Sequence, residues 1–364
     1  MRPPKARNPA PRFSLLTAPT LAPAPRAPRA TTPNDYIELK RRIKAAGLLE
    51  PQAGYYWMKT LIAAGTLMGV MILALVMNGG LWMATSGLLA GFAFTQVALL
   101  AHDVGHRQAF RGPRKNWVAR YIFGNLLLGV SASWWNDKHN QHHATPNHID
   151  MDPDIQFPMI VFSPEQIASR PRWLRPIIAI QAFVLIALLP FQAVNMRLQS
   201  ITHLFEPKAK LPWLQATLIA GHFAIYGVIL YFIGWPTALV FAVVHQGVFG
   251  LYNSSVFASN HKGMPVLSGH QGSDFFREQV LTSRNVTGHR LTDFWYGGLN
   301  YQIEHHLFPT MPRNNLAKAQ PIVRAYCEEV GVPYHATGLW ESYREVLSHL
   351  HKTSASLRGS EAQA

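Results

Sequence analysis

The chain has 364 residues, 48% of them hydrophobic and only 14% charged, with a net charge of +14. That length would suffice for two ordinary soluble domains, but three long stretches, Thr60–Ala101, Pro176–Met196 and Leu211–His261, carry no Asp, Glu, Lys or Arg, which excludes a soluble globular enzyme. Nucleic acid, the usual partner of a strongly basic chain, is excluded too: ten Lys and Arg precede Met58 and nine lie between His102 and Arg175, where they flank apolar stretches as membrane topology demands.

Residues 1–33 are rich in Pro, Ala and Arg and contain no acid. They read as a disordered tail, since their prolines oppose the amphipathic helix of a transit peptide and they lack the apolar core of a secretory signal. Residues 34–57 read as an amphipathic helix on the membrane surface: charge and apolar side chains alternate at helical spacing from Asp35 to Leu49, and Tyr55, Tyr56 and Trp57 mark the water–lipid boundary. The first transmembrane hairpin is expected over 61–101, turning at Asn78-Gly79-Gly80, and its second helix runs straight into His102. Trp117–Val130 is apolar but shorter than the roughly 20 residues a crossing needs, so it reads as interfacial. Pro176–Met196 is long enough to cross, yet basic residues flank both ends and Pro190 would break its helix, so we expect it to be re-entrant or interfacial. A second hairpin over 213–258 turns at Gly234-Trp235-Pro236 and leads to His261. The expected architecture is an all-α integral membrane protein, with four transmembrane helices in two hairpins and a cytoplasmic helical cap. The membrane domain spans 58–335 and a C-terminal cytoplasmic tail spans 336–364. By the positive-inside rule both termini face the cytoplasm.

Eight histidines in four places follow these apolar segments: His102 and His106 in HDVGH, His139, His142 and His143 in HNQHH, His261 in SNHKG, and His305 and His306 in QIEHH. Spacings of three or four residues put the rings of each box on one helical face. A lone histidine beside an apolar segment is usually a hydrogen-bonded core residue, but three such boxes on one side of one membrane call for a common partner. Imidazole is the commonest transition-metal side-chain ligand, and eight rings exceed the four of a tetrahedral zinc. They suit two metals that keep open positions, with zinc, copper and iron all compatible with neutral nitrogen ligands. The one cysteine, Cys327, rules out disulfides and cysteine-rich iron–sulfur or zinc sites, and no HExxH occurs. Asp103, Asp137, Asp150, Asp154 and Glu304 are candidates to accept the free N–H of ligating rings; a solvated acidic loop is the competing reading for Asp150, Asp152 and Asp154. His222 and His245, inside expected membrane helices, read as hydrogen-bonded core residues, and His148, His270 and His289 as outlying additional contacts.

HDVGH, HNQHH and QIEHH followed by LFP resemble the three histidine boxes of membrane fatty acyl desaturases. Gln302 at the head of the third box is similar to the front-end group, which includes linoleoyl-CoA desaturases, and FASNHKGMP resembles a segment of bacterial acyl-CoA desaturases. The resemblance covers roughly Tyr55 to His335. It implies a centre of two non-haem irons held by His102, His106, His139, His142, His143, His261, His305 and His306, with O2 as co-substrate and a long-chain fatty acyl substrate. Stearoyl-CoA-type relatives carry Asn-x-x-x-His at the fourth site, where this chain has Phe257; Gln302 or Asn260 is the candidate replacement as metal or outer contact. The His-Pro-Gly-Gly of a fused haem-binding cytochrome is absent, so electrons are expected from a separate donor: a ferredoxin, a cytochrome or an NAD(P)H-dependent reductase. Arg107, Arg111, Arg114 and Lys115 are candidates for phosphates of a coenzyme A or lipid head group. A hydroxylase or ketolase with the same metal site is the nearest alternative, and a zinc-binding membrane receptor or hydrolase is an alternative of another class.

Overall fold

The computed structural model describes residues 33–77, 79–269 and 274–359. The basic tail up to residue 32, and His270, lie outside the described residues. The fold is almost wholly helical. Its elements begin with α1 (Pro33–Ala45), α2 (Ala53–Val76), α3 (Gly80–Gly105), α4 (Pro113–Arg120), a π-helical segment (Tyr121–Leu128) and α5 (Ala132–Ala144). Short helices α6 (Glu165–Ala168) and α7 (Arg175–Ala179) lead into α8 (Gln181–Leu188) and α9 (Gln192–His203), and then α10 (Pro212–Ile233) and α11 (Thr237–His261). The remainder is α12 (Phe275–Leu281), strand β1 (Asn285–Val286), α13 (Arg290–Tyr296), α14 (Gln302–Leu307), α15 (Arg313–Val330), strand β2 (Ala336–Thr337) and α16 (Leu339–Thr353). β1 and β2 pair in parallel, Asn285 opposite Ala336.

Five helical stretches are long and apolar enough to cross a membrane: α2, α3, the α8–α9 stretch (Gln181–His203), α10 and α11. Four coincide with the two expected hairpins. Their burial differs in a way that assigns their roles. Only 17% of the apolar window of α2 and of α10 is buried, against 61% for α3 and 44% for α11. The outward side chains of α2 and α10 (Leu61, Met68, Ile72, Val228, Phe232) are a lipid-facing surface, since water would not tolerate so large an apolar patch. The central pair is α3 and α11, and small residues let them approach closely. A Cβ on Gly91 would lie 2.7 Å from Val248 Cβ, and one on Gly87 would lie 2.9 Å from the Phe241 carbonyl oxygen. Both central helices end in candidate metal ligands, so their contact sets the spacing of the site.

The stretch from 181 to 203 is two helices joined by a 3-10 turn at Leu189–Phe191, where Pro190 interrupts the α-helical ladder. Ser254 of α11 donates to the Leu189 carbonyl at 3.2 Å, and the Pro190 carbonyl packs so tightly on Gly250 that no Cβ fits there. Both ends of the stretch meet the polar part of the molecule. Gln181 donates to the carbonyls of Val161 and Leu350 at 3.0 and 2.8 Å, and the His203 ring lies 3.9 Å from Asp137, two residues before His139.

Two segments differ from the sequence expectation. Helix α1 forms, but its apolar stripe is covered by protein: Leu39 and Ile43 are fully buried in a cluster with Phe276 of α12 and Val323, Tyr326 and Cys327 of α15. The stripe is narrow, and α15 supplies a matching one together with Glu329, which pairs with Arg42 at 2.7 Å. Residues 336–359, expected as a tail, form β2 and α16, whose Val346 and Leu350 are buried against Ile155, Ile160 and Phe162. Cys327 is likewise a buried core thiol.

Replacing Gly91 by Val should force α3 and α11 apart and cost about 1–3 kcal/mol, as overpacked cores do. A clear drop in the unfolding temperature of the detergent-solubilised protein is the expected result, with Gly69→Val on the exposed side of α2 showing little change, since its Cβ would meet no atom within 4 Å.

Candidate metal centre

Four elements deliver the eight histidines. His102 and His106 lie one helical turn apart at the C-terminal end of α3, and Gly105 between them is sterically required: a Cβ there would come within 2.2 Å of Trp135 on α5. That indole stacks on His139 with ring centres 4.4 Å apart, so α3 and α5 dock through the site itself. The start of α5 is fixed by a buried polar knot in which Gln215 of α10 accepts from Ser131 at 2.8 Å and donates to Ser133 at 2.8 Å, with Asn125 bonded to the same amide. Ser131 also caps the helix by accepting from the Trp134 amide. α14 brings His305 and His306, and α11 ends on His261.

The rings converge into two adjoining groups. His102, His106, His139 and His305 present nitrogens within 4.8 Å of one another, and so do His142, His261 and His306. His143 lies between them, stacked on His306 at 4.1 Å and 4.8 Å from the His305 ring centre, with its Nε2 3.2 Å from His139 Nε2. Elsewhere ring nitrogens face one another at 2.9 Å (His106 to His139) and 3.3 Å (His142 to His261). Two nitrogens bound to one cation at about 2.0–2.1 Å stand roughly 3 Å apart, so these separations fit shared metal ligation. His102 Nε2, His306 Nε2 and both nitrogens of His305 are buried with no hydrogen-bond partner. Buried polar atoms are rarely left unpaired, and a site lined with them is fit for a ligand that accepts lone pairs.

Protonation chemistry agrees. Burial, reinforced by neighbouring rings, holds His106, His139, His143, His305 and His306 well below the ordinary imidazole value, so their lone pairs are free at neutral pH. Four outer contacts fix which nitrogen carries the proton. His102 Nδ1 faces Asp103 at 3.2 Å, His142 Nδ1 faces both oxygens of Asp152 at 3.0 Å, His261 Nδ1 faces the Thr282 carbonyl at 3.0 Å, and His306 Nδ1 faces Gln279 Oε1 at 2.8 Å. An Nδ1–H donated outward leaves Nε2 as the lone pair turned inward.

The acidic candidates separate accordingly. Asp103 touches His102 and is itself 3.0 Å from the Arg313 guanidinium. Asp154 lies 3.6 Å from His142 and pairs with Lys138. Three expectations are corrected. Asp137, two residues before His139, faces away from it on the helix and meets His203 instead. Asp150 is exposed, and its place is taken by Asp152, which is fully buried because it also accepts the amides of Asn147 and Asp154 at 2.8 Å each. Glu304 points to the side of α14 opposite His305 and His306, accepting from Tyr334 and Asn285 at 2.7 Å each, and burial raises its carboxyl to about 7. Asp152 stood in a visible acidic run, whereas Gln279 and Thr282 carry no sequence signal.

At the fourth histidine, Asn260 donates to Gln302 Oε1 at 2.9 Å and the Gln302 amide nitrogen lies 2.8 Å from His261 Nε2, so both candidate replacements sit beside that ring. The end of α11 is braced by Arg284, which is fully buried, donates to the Ser259 and Lys262 carbonyls and pairs with Glu345 of α16. A guanidinium on these last carbonyls satisfies acceptors that a helix terminus leaves open. His222 and His245 bond to the Leu126 carbonyl and the Tyr226 hydroxyl, His148 to the Gly269 carbonyl, and His289 caps α13; none of the four joins the cluster. Arg107, Arg111, Arg114 and Lys115 are all exposed around the start of α4.

Asp152→Asn should weaken metal retention about 10–100-fold, the usual cost of losing an outer partner of a ligating histidine. Asp150→Asn, although nearby, should leave it unchanged. Metal content after graded chelator challenge distinguishes the two.

Comparison with known proteins places the chain in a family. The sequence profile of the family described as fatty acid desaturase matches residues 79–338. The chain is 31% identical over 331 residues to a Delta(6)-fatty-acid desaturase of Caenorhabditis elegans, covering 86% of this chain and 74% of the relative. It is 31% identical to a Delta(5) fatty acid desaturase of the same animal, covering 85% and 73%. It is 33% identical to an acyl-lipid (9-3)-desaturase of Physcomitrium patens, covering 74% of this chain and 53% of the relative. With a match running from the start of α3 to the end of β2, through all eight clustered histidines, the chain belongs to the fatty acid desaturase family.

Proposed function

We propose that the protein introduces a cis double bond into a long-chain acyl substrate, removing two hydrogens from adjacent methylenes while O2 and two electrons with two protons become two waters. The observation that carries this reading is the convergence of eight imidazoles, from four separate elements, at the end of an apolar helix pair. His102, His106, His139, His142, His143, His261, His305 and His306 would hold two irons, with Gln302 and Asn260 beside His261. When bound, the metal pair supplies the oxygen activation needed to attack an unactivated C–H bond.

The chain's own residues do the positioning. Asp103, Asp152, Gln279 and the Thr282 carbonyl orient four of the rings, and Arg284 holds the helix end that carries His261. Lodging the acyl chain among the apolar helices keeps water from the reacting carbons and decides which carbon faces the centre. Electrons come from a separate donor protein, and the exposed Arg107, Arg111, Arg114 and Lys115 are placed to meet outer phosphates of the substrate or anionic lipid.

Four crossings, by α2, α3, α10 and α11, fit best with both termini and the metal centre on the cytoplasmic side. The broken α8–α9 stretch then lies along that face, as the meeting of both its ends with polar elements supports. The membrane domain covers 58–335, preceded by the tail and the α1 region, with α16 docked as its brace.

Expression in a host lacking the activity, followed by mass spectrometry of fatty acids, should reveal a new double bond that requires O2, with about two irons per purified chain. His142→Ala should abolish the product while the protein still inserts in the membrane. Stoichiometric zinc, or full activity of the variant, would remove the reading.

A further inference from the structure

A second feature lies beside the metal centre. A cavity of about 170 Å³ opens between the base of α2, the middle of α3, α13 and the start of α15, lined among others by Lys59, Gln96, Asp293, Gly297, Arg313 and Asn314. Arg313 is only 5% exposed. Its Nε donates to the Tyr55 hydroxyl at 3.3 Å and lies 3.0 Å from Asp103, but among the described residues neither terminal nitrogen donates a hydrogen bond, and Nη1 is fully enclosed. A guanidinium offers five N–H donors; of the four on the terminal nitrogens, the two on Nη1 are buried without a partner, where an unpaired donor is expensive.

The surroundings are shaped for an occupant. Gly297 and Gly298 adopt positive φ, and a Cβ on Gly297 would stand 2.9 Å from Arg313 Nη1, so the glycine pair clears space around the guanidinium. Arg313 and Asn314 open an 18-residue helix that has no side-chain cap, and its N-terminal amides favour negative charge. Half-buried Lys59 adds a second cation, which among the described residues forms no ion pair and rests over the Tyr55 ring. The one opposing charge in the lining, Asp293, is occupied by Asn300 at 2.9 Å.

We propose that this cavity binds the oxyanion at the head of the acyl substrate, a carboxylate or phosphate oxygen pair facing Arg313 with Lys59 alongside. Planar guanidinium matches such groups bidentately. The same Arg313 reaches Asp103, which holds His102, so an occupied cavity lies one carboxylate away from the first histidine box. The identity of the bearer rests on the acyl desaturase reading; the existence of an oxyanion site does not.

The test uses the full chain with its metals in detergent micelles. Equilibrium binding is measured for radiolabelled stearic acid, stearoyl-CoA and stearoyl lysophosphatidylcholine, with stearyl alcohol as the neutral-headed control. At least one oxyanion-headed ligand should bind ten-fold or more tighter than the alcohol, and which one does so identifies the carrier. Arg313→Gln and Lys59→Gln should each reduce that preference about ten-fold or more, as loss of a charge-assisted hydrogen bond does, leaving the affinity for the alcohol alone. Should Arg313→Gln fail to accumulate or lose its metals through Asp103, Lys59→Gln decides. Equal binding of charged and neutral ligands, as a cavity filled only by water would give, overturns the proposal; so does a preference that survives both substitutions. Fatty-acid analysis of the expressing cells separates the two readings: new double bonds without head-group preference sink the site alone, whereas preference without any product sinks the desaturase reading and leaves the site standing.

Discussion

Eight imidazoles are pressed together where water is excluded, and the rest of the structure is arranged around that fact. Where outer partners take the Nδ1 proton, as at His142 and His261, two Nε2 lone pairs face each other at 3.3 Å and repel, and protonated rings would repel more strongly. Cations at the centre would turn such an arrangement from a liability into a stable one. Metal binding would therefore be coupled to the final packing of the polar layer, because binding energy that is absent in the unfolded chain acts as folding energy.

Holding rings against such repulsion requires rigid supports, and each is traceable. α3 and α11 meet through glycines, so the ends bearing HDVGH and His261 cannot drift apart. α5 is pinned at its start by the Gln215 knot and along its length by Trp135 against Gly105. α11 is stopped and held by Arg284, whose charge is answered by Glu345 from α16 near the end of the chain. Residues more than two hundred positions apart thus bear on one histidine cluster, and a lesion in α16 would reach it through the Arg284–Glu345 ion pair.

Much of this was legible in the chain itself. Uncharged stretches identified the four hairpin helices, since length and apolarity are properties of composition alone. The boxes were legible because the helical repeat is fixed, so spacings of three and four residues imply a shared face before any fold is known. The same rule, applied consistently, would have removed Asp137 from the acidic candidates, as it lies two residues from His139. Asp150 and Asp152 could not be told apart by pattern; the choice is made by a turn that buries one and leaves the other in water.

Sequence alone determined the apolar helices, the histidine faces and the chemical family, because periodicity, charge distribution and motif are local and survive without a fold. Tertiary structure decided which partners surround them: that α1 docks on α15, that Asp152, Gln279 and Thr282 orient the rings, that Glu304 turns away, and that Arg313 ends beside an open cavity. Those contacts join residues distant in the chain, and an unpaired donor becomes visible only when the folded chain shows which groups lie within its reach.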